Sequence, residues 1–487
     1  MSRSIDGFLW VYNNILWINI LLAIVLVFFE RRNPTTTWLW LMVLTFLPGI
    51  GFILYLFLGQ DLSKIRMFNV KRTEDYCFKD LVTDQEEEIQ NEVYKYKDPN
   101  YIKYEDLIKM HLMSSDSYFS QDNNVEIYFE GNEKFKAMLE SISKAKIYIH
   151  IEYYIFKSDN LGKTVIDALC KKAEEGVEVK VLYDGMGGRK LARRYINKLK
   201  ESGAEVAVFF PPFVPLISLR INYRNHRKIC IIDGRESYIG GLNIGDEYLG
   251  MSKKFGYWRD THLKIVGSAI SSLQWRFLLD WRFATKEKDI NMCQSYLIDE
   301  EDMGNTGIQI VSSGPDSKWP SIKDGYLKMI SNAKEKVFIE TPYFIPDDSI
   351  LEALRLAGLS GLDVRVMIPC KPDHIFVYLE SMSYIGELLQ AGIRFYTYEK
   401  GFLHSKVILM DDFVSSVGTA NLDIRSFELN FEVNAFIYDE VVNLKLTDKF
   451  LNDLQYCKEI TLEDYNERSG IVKIKESFSR LLSPILW

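Results

Sequence analysis

Histidine is scarce in this chain of 487 residues; the six present are His111, His150, His226, His262, His374 and His404. The six cysteines, Cys77, Cys170, Cys230, Cys293, Cys370 and Cys457, form no CxxC pair and no Cys/His ligand spacing. A disulfide framework and a zinc knuckle are thereby excluded, and the main body suits a reducing compartment. A basic excess is also missing: the formal net charge is −8. That excludes a broad positive face able to neutralise many phosphates, so a nucleic-acid partner is not expected. No small-residue cleavage site precedes the second apolar run, so the first reads as an anchor rather than a removable signal. The composition, 47% hydrophobic and 26% charged, is that of a folded protein. The length exceeds one ordinary core and predicts at least two packed units.

What is present begins with two uncharged apolar runs, residues 8–29 and 38–58, each long enough to cross a bilayer. The connector, residues 30–37, is so short that the runs form a tight hairpin and return the chain to the side of its N-terminus. Lys64, Arg66, Lys71 and Arg72 follow the second run, against Arg31 and Arg32 in the connector, a bias that favours a cytoplasmic body. Pro48, Gly49 and Gly51 interrupt the second run, which leaves open a shallow hairpin that never fully crosses. Residues 1–60 are expected as two transmembrane helices, and residues 61–124, rich in charge, as a linker or short helices between anchor and body.

Beyond the linker the chain repeats itself. The stretch NHRKICIID, residues 225–233, is answered by LHSKVILMD, residues 403–411. Adding 178 to His226, Lys228, Asp233, Gly240 and Asn243 gives His404, Lys406, Asp411, Gly418 and Asn421. Five coincidences at one offset mark a duplication. Upstream, KIYIHIEYYIF is similar to KVFIETPYFIP, and GVEVKVLYD to GLDVRVMIP. Short β-branched and aromatic runs alternate with helical patterns such as GKTVIDALCKKAEEG and DSILEALRLAGLSG. This predicts an α/β protein of two homologous α/β/α sandwich halves, residues 125–300 and 301–487, with largely parallel strands and a pseudo-twofold axis. The motifs, at 220–247 and 398–425, would meet on that axis.

In a strand, residues i and i+2 share a face, so His226 with Lys228, and His404 with Lys406, each present an imidazole beside an ammonium. Lysine supplies charge to a phosphoryl oxygen, and histidine can attack phosphorus or carry a proton near neutral pH. Asp233 and Asp411 fall at DG and DD turns, where bracing is their plainer role. GGLN and GTAN bring the backbone close and present Asn243 and Asn421, whose amides can donate to phosphate. A turn would explain either motif alone but not the pair. The other histidines gain no role: His150 reads as a satisfied core residue, His262 lies in a strand-like run, His111 on the linker side and His374 in a loop.

The duplicated His-x-Lys-x4-Asp, followed by Gly-Gly/Ser/Thr-x-Asn, resembles the phospholipase D superfamily. ERRNPTTTWLWLMVLTFLPGIGFILYLFLG, RINYRNHRK, YWRDTH, GFLHSK and GTANLDIRSFELNFEVNAFIYD are similar to the bacterial cardiolipin synthase family, and the likeness spans nearly the whole chain. The resemblance implies reversible phosphatidyl transfer between two phosphatidylglycerol molecules through a phosphohistidine, giving cardiolipin and glycerol, without metal or cofactor. It implies His226 as nucleophile and His404 as acid then base, an order the residues themselves leave open. Lys228, Lys406, Asn243 and Asn421 would stabilise the pentavalent transition state, with Asp233 and Asp411 completing the catalytic motifs. Asp260 in YWRDTH and Glu432 in NFEVN match the family's histidine-orienting acids; pairing within halves is expected, Asp260 with His226 and Glu432 with His404. The resemblance also places the chain in a bacterial plasma membrane, with phospholipid as its partner and self-association open. The basic stretch from Arg189 to Lys228 could seat anionic headgroups, and PPFVPLIS within it could line an acyl-chain entrance. Hydrolysis, with water as acceptor, and use of phosphatidylethanolamine are the rival activities.

Overall fold

The computed structural model describes residues 76–211, 223–287, 303–371 and 373–486, with 34–47 and the single residues 17, 20, 21, 51 and 55. The expected spans fall largely outside these. Helix α1 (Pro34–Phe46) covers the start of the second, and no helix among the described residues is long and apolar enough to cross a membrane. Helix α1 takes in the last residues of the expected connector, because Pro34 at its first position lacks only an N–H that the first turn leaves unpaired anyway.

The expected linker is, where described, part of the folded body. Helices α2 (Tyr76–Gln90) and α3 (Glu105–Ser115) pack Val82, Ile89, Leu107, Ile108 and Leu112 into one core with Val311, Ile322 and Tyr326 of the second half. The many charges of this segment occupy the outer faces of amphipathic helices, which is why composition alone reads as a linker.

Strands β1 (Phe119–Tyr128), β2 (Tyr148–Tyr153), β3 (Glu178–Asp184), β4 (Glu205–Phe209), β5 (Arg224–Asn225), β6 (Lys228–Ile232), β7 (Glu236–Gly240), β8 (Tyr257–Arg259) and β9 (His262–Val266) precede helix α4 (Ala269–Thr285). The second half runs through β10 (Thr306–Ser313), β11 (Lys336–Glu340), β12 (Phe344–Ile345) and β13 (Asp363–Pro369) to helix α5 (Ile375–Gln390). It continues with β14 (Arg394–Tyr398), β15 (Gly401–Leu403), β16 (Val407–Met410), β17 (Val414–Gly418), β18 (Leu422–Asp423) and β19 (Asn430–Tyr438). Helix α6 (Glu440–Asp453), β20 (Cys457–Ile460) and helix α7 (Gly470–Leu486) end the chain.

A continuous sheet runs through both halves. From one edge it reads β4-β3-β2-β6-β7-β9, from the other, inside β20, β14-β13-β11-β16-β17-β19, with β1 and β10 joined antiparallel at the centre. The same local order is thus written twice. In each half only the outer three strands are parallel; β6, β7 and β9, and likewise β16, β17 and β19, are antiparallel. The expected largely parallel sheets are therefore mixed. The motif strand turns straight back on itself, and a short turn permits only antiparallel pairing. In the three-residue connection 233–235, Asp233 and Gly234 both take left-handed φ, 53° and 67°, and the Arg235 N–H donates to the Ile232 carbonyl at 3.0 Å.

The hairpins also correct the internal alignment. Ile149 lies opposite Ile232, and Val337 opposite Met410, so Ile149 corresponds to Val337 rather than to Ile339 as the letter match suggests. Glu152 then corresponds to Glu340. Strands β10 and β19 are buried along their whole length. A single apolar core takes Ile229, Ile231 and Ile239 from one half together with Val407, Leu409, Val433 and Phe450 from the other.

Candidate active site

Each histidine is delivered by a short strand that adds to the opposite half. Strand β5 pairs in parallel with β19, setting Asn225 against Phe431, and the His226 N–H donates to the Phe431 carbonyl at 2.9 Å. Strand β15 pairs in parallel with β8, setting Leu403 against Arg259, and the His404 N–H donates to the Arg259 carbonyl at 2.7 Å. The residue following each acceptor is an acid. Glu432 receives His226 Nδ1 at 2.9 and 3.0 Å, and Asp260 receives His404 Nδ1 at 2.7 Å.

The orienting acids are therefore crossed. Expected pairing within each half is replaced by His226 with Glu432 and His404 with Asp260, because the chain crosses between halves at the very residues that bear the motif. A carboxylate on Nδ1 fixes that nitrogen as the protonated one and leaves Nε2 as the basic nitrogen. Tyr154 meets the His226 ring edge-on with centroids 5.0 Å apart, and Trp258 tilts over His404 at 5.2 Å.

The lysines tie back to the same segments. Lys228 Nζ donates to the His226 carbonyl at 2.5 Å, and Lys406 Nζ donates to the His404 carbonyl. Burial drives the His226 pKa down to about 4, with Glu432 opposing and Lys228 and Lys406 adding to the fall. Burial and then Lys406 drive His404 to about 4 against the pull of Asp260, and Lys228 contributes there too. Lys228 falls to about 7 and Lys406 to about 8, burial being foremost in both. Each histidine feels the lysine of the other motif, so the two motifs form one electrostatic site. Burial opposes ionisation of Asp260 and Glu432, but the histidine and lysine beside each outweigh it and leave both carboxyls below their ordinary values.

The other expected site residues divide. Asp233 is not brought to the histidines; its carboxylate accepts the backbone N–H groups of Lys146, Ile147 and Tyr148 at 2.8–2.9 Å, at the far end of β6. Asp411 does the same for Lys334, Glu335 and Lys336. Both are strand braces, which corrects their grouping with the catalytic residues. Asn243 is held by the scaffold, its Oδ1 accepting from Ile155 N–H at 3.1 Å and its Nδ2 donating to Tyr248 at 3.2 Å. The Asn421 backbone N–H donates to Ser426 Oγ at 3.2 Å, and its side chain lowers the pKa of Asp423, which burial lifts to about 6. Gly241 has a steric reason: a Cβ there would stand 2.0 Å from Asp260 Oδ1.

Two buried arginine clusters behind the site escaped the sequence reading. Arg227 pairs with Asp280 of α4 and donates Nε to the Glu432 carbonyl at 3.2 Å. Arg259 pairs with Asp453 of α6 at 2.6 Å and with Glu340 at 3.1 Å. The only sequence signal is that each arginine adjoins a site residue, since its partners lie on distant elements. Arg227, being buried, leaves the set expected to seat headgroups; PPFVPLIS, from its second residue on, lies outside the described residues. His150 is a satisfied core residue, with Nε2 2.9 Å from Glu178. His111 is not on a linker but buried against Phe436, with centroids 4.3 Å apart.

Two histidines, each held at Nδ1 by an acid and flanked by a buried lysine, define the phosphodiester-transferring class to which the sequence is similar. The family model described as cardiolipin synthase, PLD-like domain, matches residues 138–256 and 326–454, and one described as phospholipase D-nuclease N-terminal matches residues 17–60. The major cardiolipin synthase ClsA of Bacillus subtilis (strain 168) is 50% identical over 469 residues, 96% of this chain and 97% of that one. A cardiolipin synthase of Listeria innocua is 49% identical over 472 residues, 97% and 98% of the two chains. Among solved structures, phosphatidylserine synthase of Haemophilus influenzae Rd KW20 has the same fold, with a TM-score of 0.60 at 16% identity over 78% of this chain and 98% of that one. The chain belongs to the cardiolipin synthase family of the phospholipase D superfamily.

Proposed function

We propose that the protein is a cardiolipin synthase that moves a phosphatidyl group from one phosphatidylglycerol to the terminal hydroxyl of another. His226 Nε2 attacks phosphorus, and the glycerol oxygen leaves with a proton from His404. The incoming hydroxyl then gives its proton back to His404 and displaces His226, restoring the site. One phosphodiester replaces another, so the step is reversible. Lys228 and Lys406 neutralise the charge that builds on the non-bridging oxygens, and Asn243 and Asn421 donate there. The reciprocal strand exchange supports two sandwich halves related by a pseudo-twofold axis. The match over residues 17–60 is consistent with an N-terminal membrane hairpin, and Lys64, Arg66, Lys71 and Arg72 beyond it, against Arg31 and Arg32 between the runs, support a cytoplasmic body.

The observation that carries this reading is the crossed pair of histidine–carboxylate bonds, which gives each motif an oriented base and neither motif a complete set of its own. The test is detergent-purified protein with phosphatidylglycerol alone, in chelator, with products identified by mass spectrometry. Cardiolipin and glycerol in equal amounts are expected. Phosphatidic acid as the main product would make water the acceptor and overturn the synthase reading.

A further inference from the structure

The last helix is turned inside out for a surface in water. Glu476 and Ser479 of α7 are only 4% and 2% exposed, whereas Ile471, Ile474, Phe478 and Leu481 are 56% to 70% exposed. The apolar four recur at three and four residue spacing and form one stripe. The buried polar side is fixed: α7 packs against α5, and Arg468 Nη1 donates to Glu476 at 2.5 Å. Leaving four large apolar side chains in water forgoes the free energy of burying each. Such an arrangement is stable when something apolar covers the stripe.

The neighbouring helix says what that is. Helix α7 also packs against α1, which begins the uncharged run of bilayer length at residues 38–58. Trp38, Met42 and Phe46 of α1 are exposed in turn, at 66%, 54% and 77%. Lys475, exposed, borders the α7 stripe, which suits anionic headgroups. We propose that α7 is an interfacial helix, lying with its apolar stripe in the headgroup–acyl boundary of an anionic phospholipid leaflet. It gives the body a membrane contact of its own, beside the N-terminal run it packs against and apart from the catalytic residues.

The proposal rests on membrane attachment and not on which lipid reacts, and its test does not read turnover. The full chain carrying benzoylphenylalanine in place of Phe478, and separately in place of Ile474, is reconstituted in phosphatidylglycerol vesicles and irradiated. Both sites are exposed, so neither replacement disturbs the core. A peptide heavier by one phospholipid is expected at each. Adducts to residues 1–33 would mean that the chain's own N-terminus covers the stripe, and adducts between two chains would mean self-association. Either result, or absence of any adduct, overturns the proposal. Production of phosphatidic acid instead of cardiolipin would refute the synthase reading while leaving this one standing.

Discussion

Asp260, carried by the first half, receives Nδ1 of His404, carried by the second, at 2.7 Å, and Glu432 returns the arrangement for His226. Asp260 raises the pKa of His404 against burial. Asp260→Asn should therefore lower the His404 pKa below its value of about 4 and leave His226 unmoved; Glu432→Gln should do the converse. Histidine-selective NMR titration reads both, and a shift confined to the histidine of the same half would contradict the crossing. Turnover should drop by about 10²–10⁴-fold in each variant, the usual contribution of a positioned acid or base.

The two motif aspartates should behave unlike the histidines. Asp411→Ala removes the acceptor for three strand N–H groups and should cost about 1–3 kcal/mol of stability. Asp233→Ala and Asp411→Ala also add strain, because Asp233 and Asp411 hold φ at 53° and 49°, where Asn is tolerated and Ala is not. Folded enzyme should keep most of its transfer rate in both. Thermal unfolding beside initial rates separates the effects; a rate loss as deep as that of His226→Ala or His404→Ala, with stability intact, would return the aspartates to the chemistry.

Asp280→Ala should be among the most damaging changes outside the site. It strips the partner from Arg227, which is fully buried, and breaking such a pair costs about 3–5 kcal/mol. Glu152 sits beside the pair with its pKa held well above the ordinary value, by burial first and Asp280 second. Losing Asp280 lets Glu152 ionise and partly compensate. The combined Glu152→Gln and Asp280→Asn variant should thus lose more stability than the two single changes summed, measured by denaturant unfolding.

A phosphodiester anion should bring protons with it. Burial above all pushes the histidines down to about 4, Lys228 to about 7 and Lys406 to about 8. A neighbouring anion favours every cationic form and raises all four values, so binding near pH 7.5 takes up protons. Calorimetry of inorganic phosphate in two buffers of different ionisation enthalpy should show that uptake. Proton release on binding, or none, would mean that the site already holds its acid before substrate arrives.

Much of the chemistry was legible in the linear chain. The repeat at a fixed offset picks out His226, Lys228, His404 and Lys406, although His226 and residues 404–406 lie in the connections between short strands and not within one strand as expected. The resemblance supplied Asp260 and Glu432 as acids, but their assignment depends on which strand lies beside which. That is settled by β5 joining β19 and β15 joining β8, pairings between segments roughly two hundred and one hundred and fifty residues apart, which no local pattern encodes.

The same limit governs the rest. Charge in α2 and α3 reads as a linker because composition cannot reveal which face is buried, and the register of β2 against β11 slips by two because similar apolar letters fit either alignment. Arg227 and Arg259 announce only that they adjoin the motifs; packing alone supplies Asp280, Asp453 and Glu340 and makes the arginines internal. The sequence by itself determined the reacting groups and their duplication, since residue type and spacing are properties of the chain before it folds. Tertiary structure decided how the two copies complete each other, because that depends on backbone pairing and burial between residues far apart in the chain.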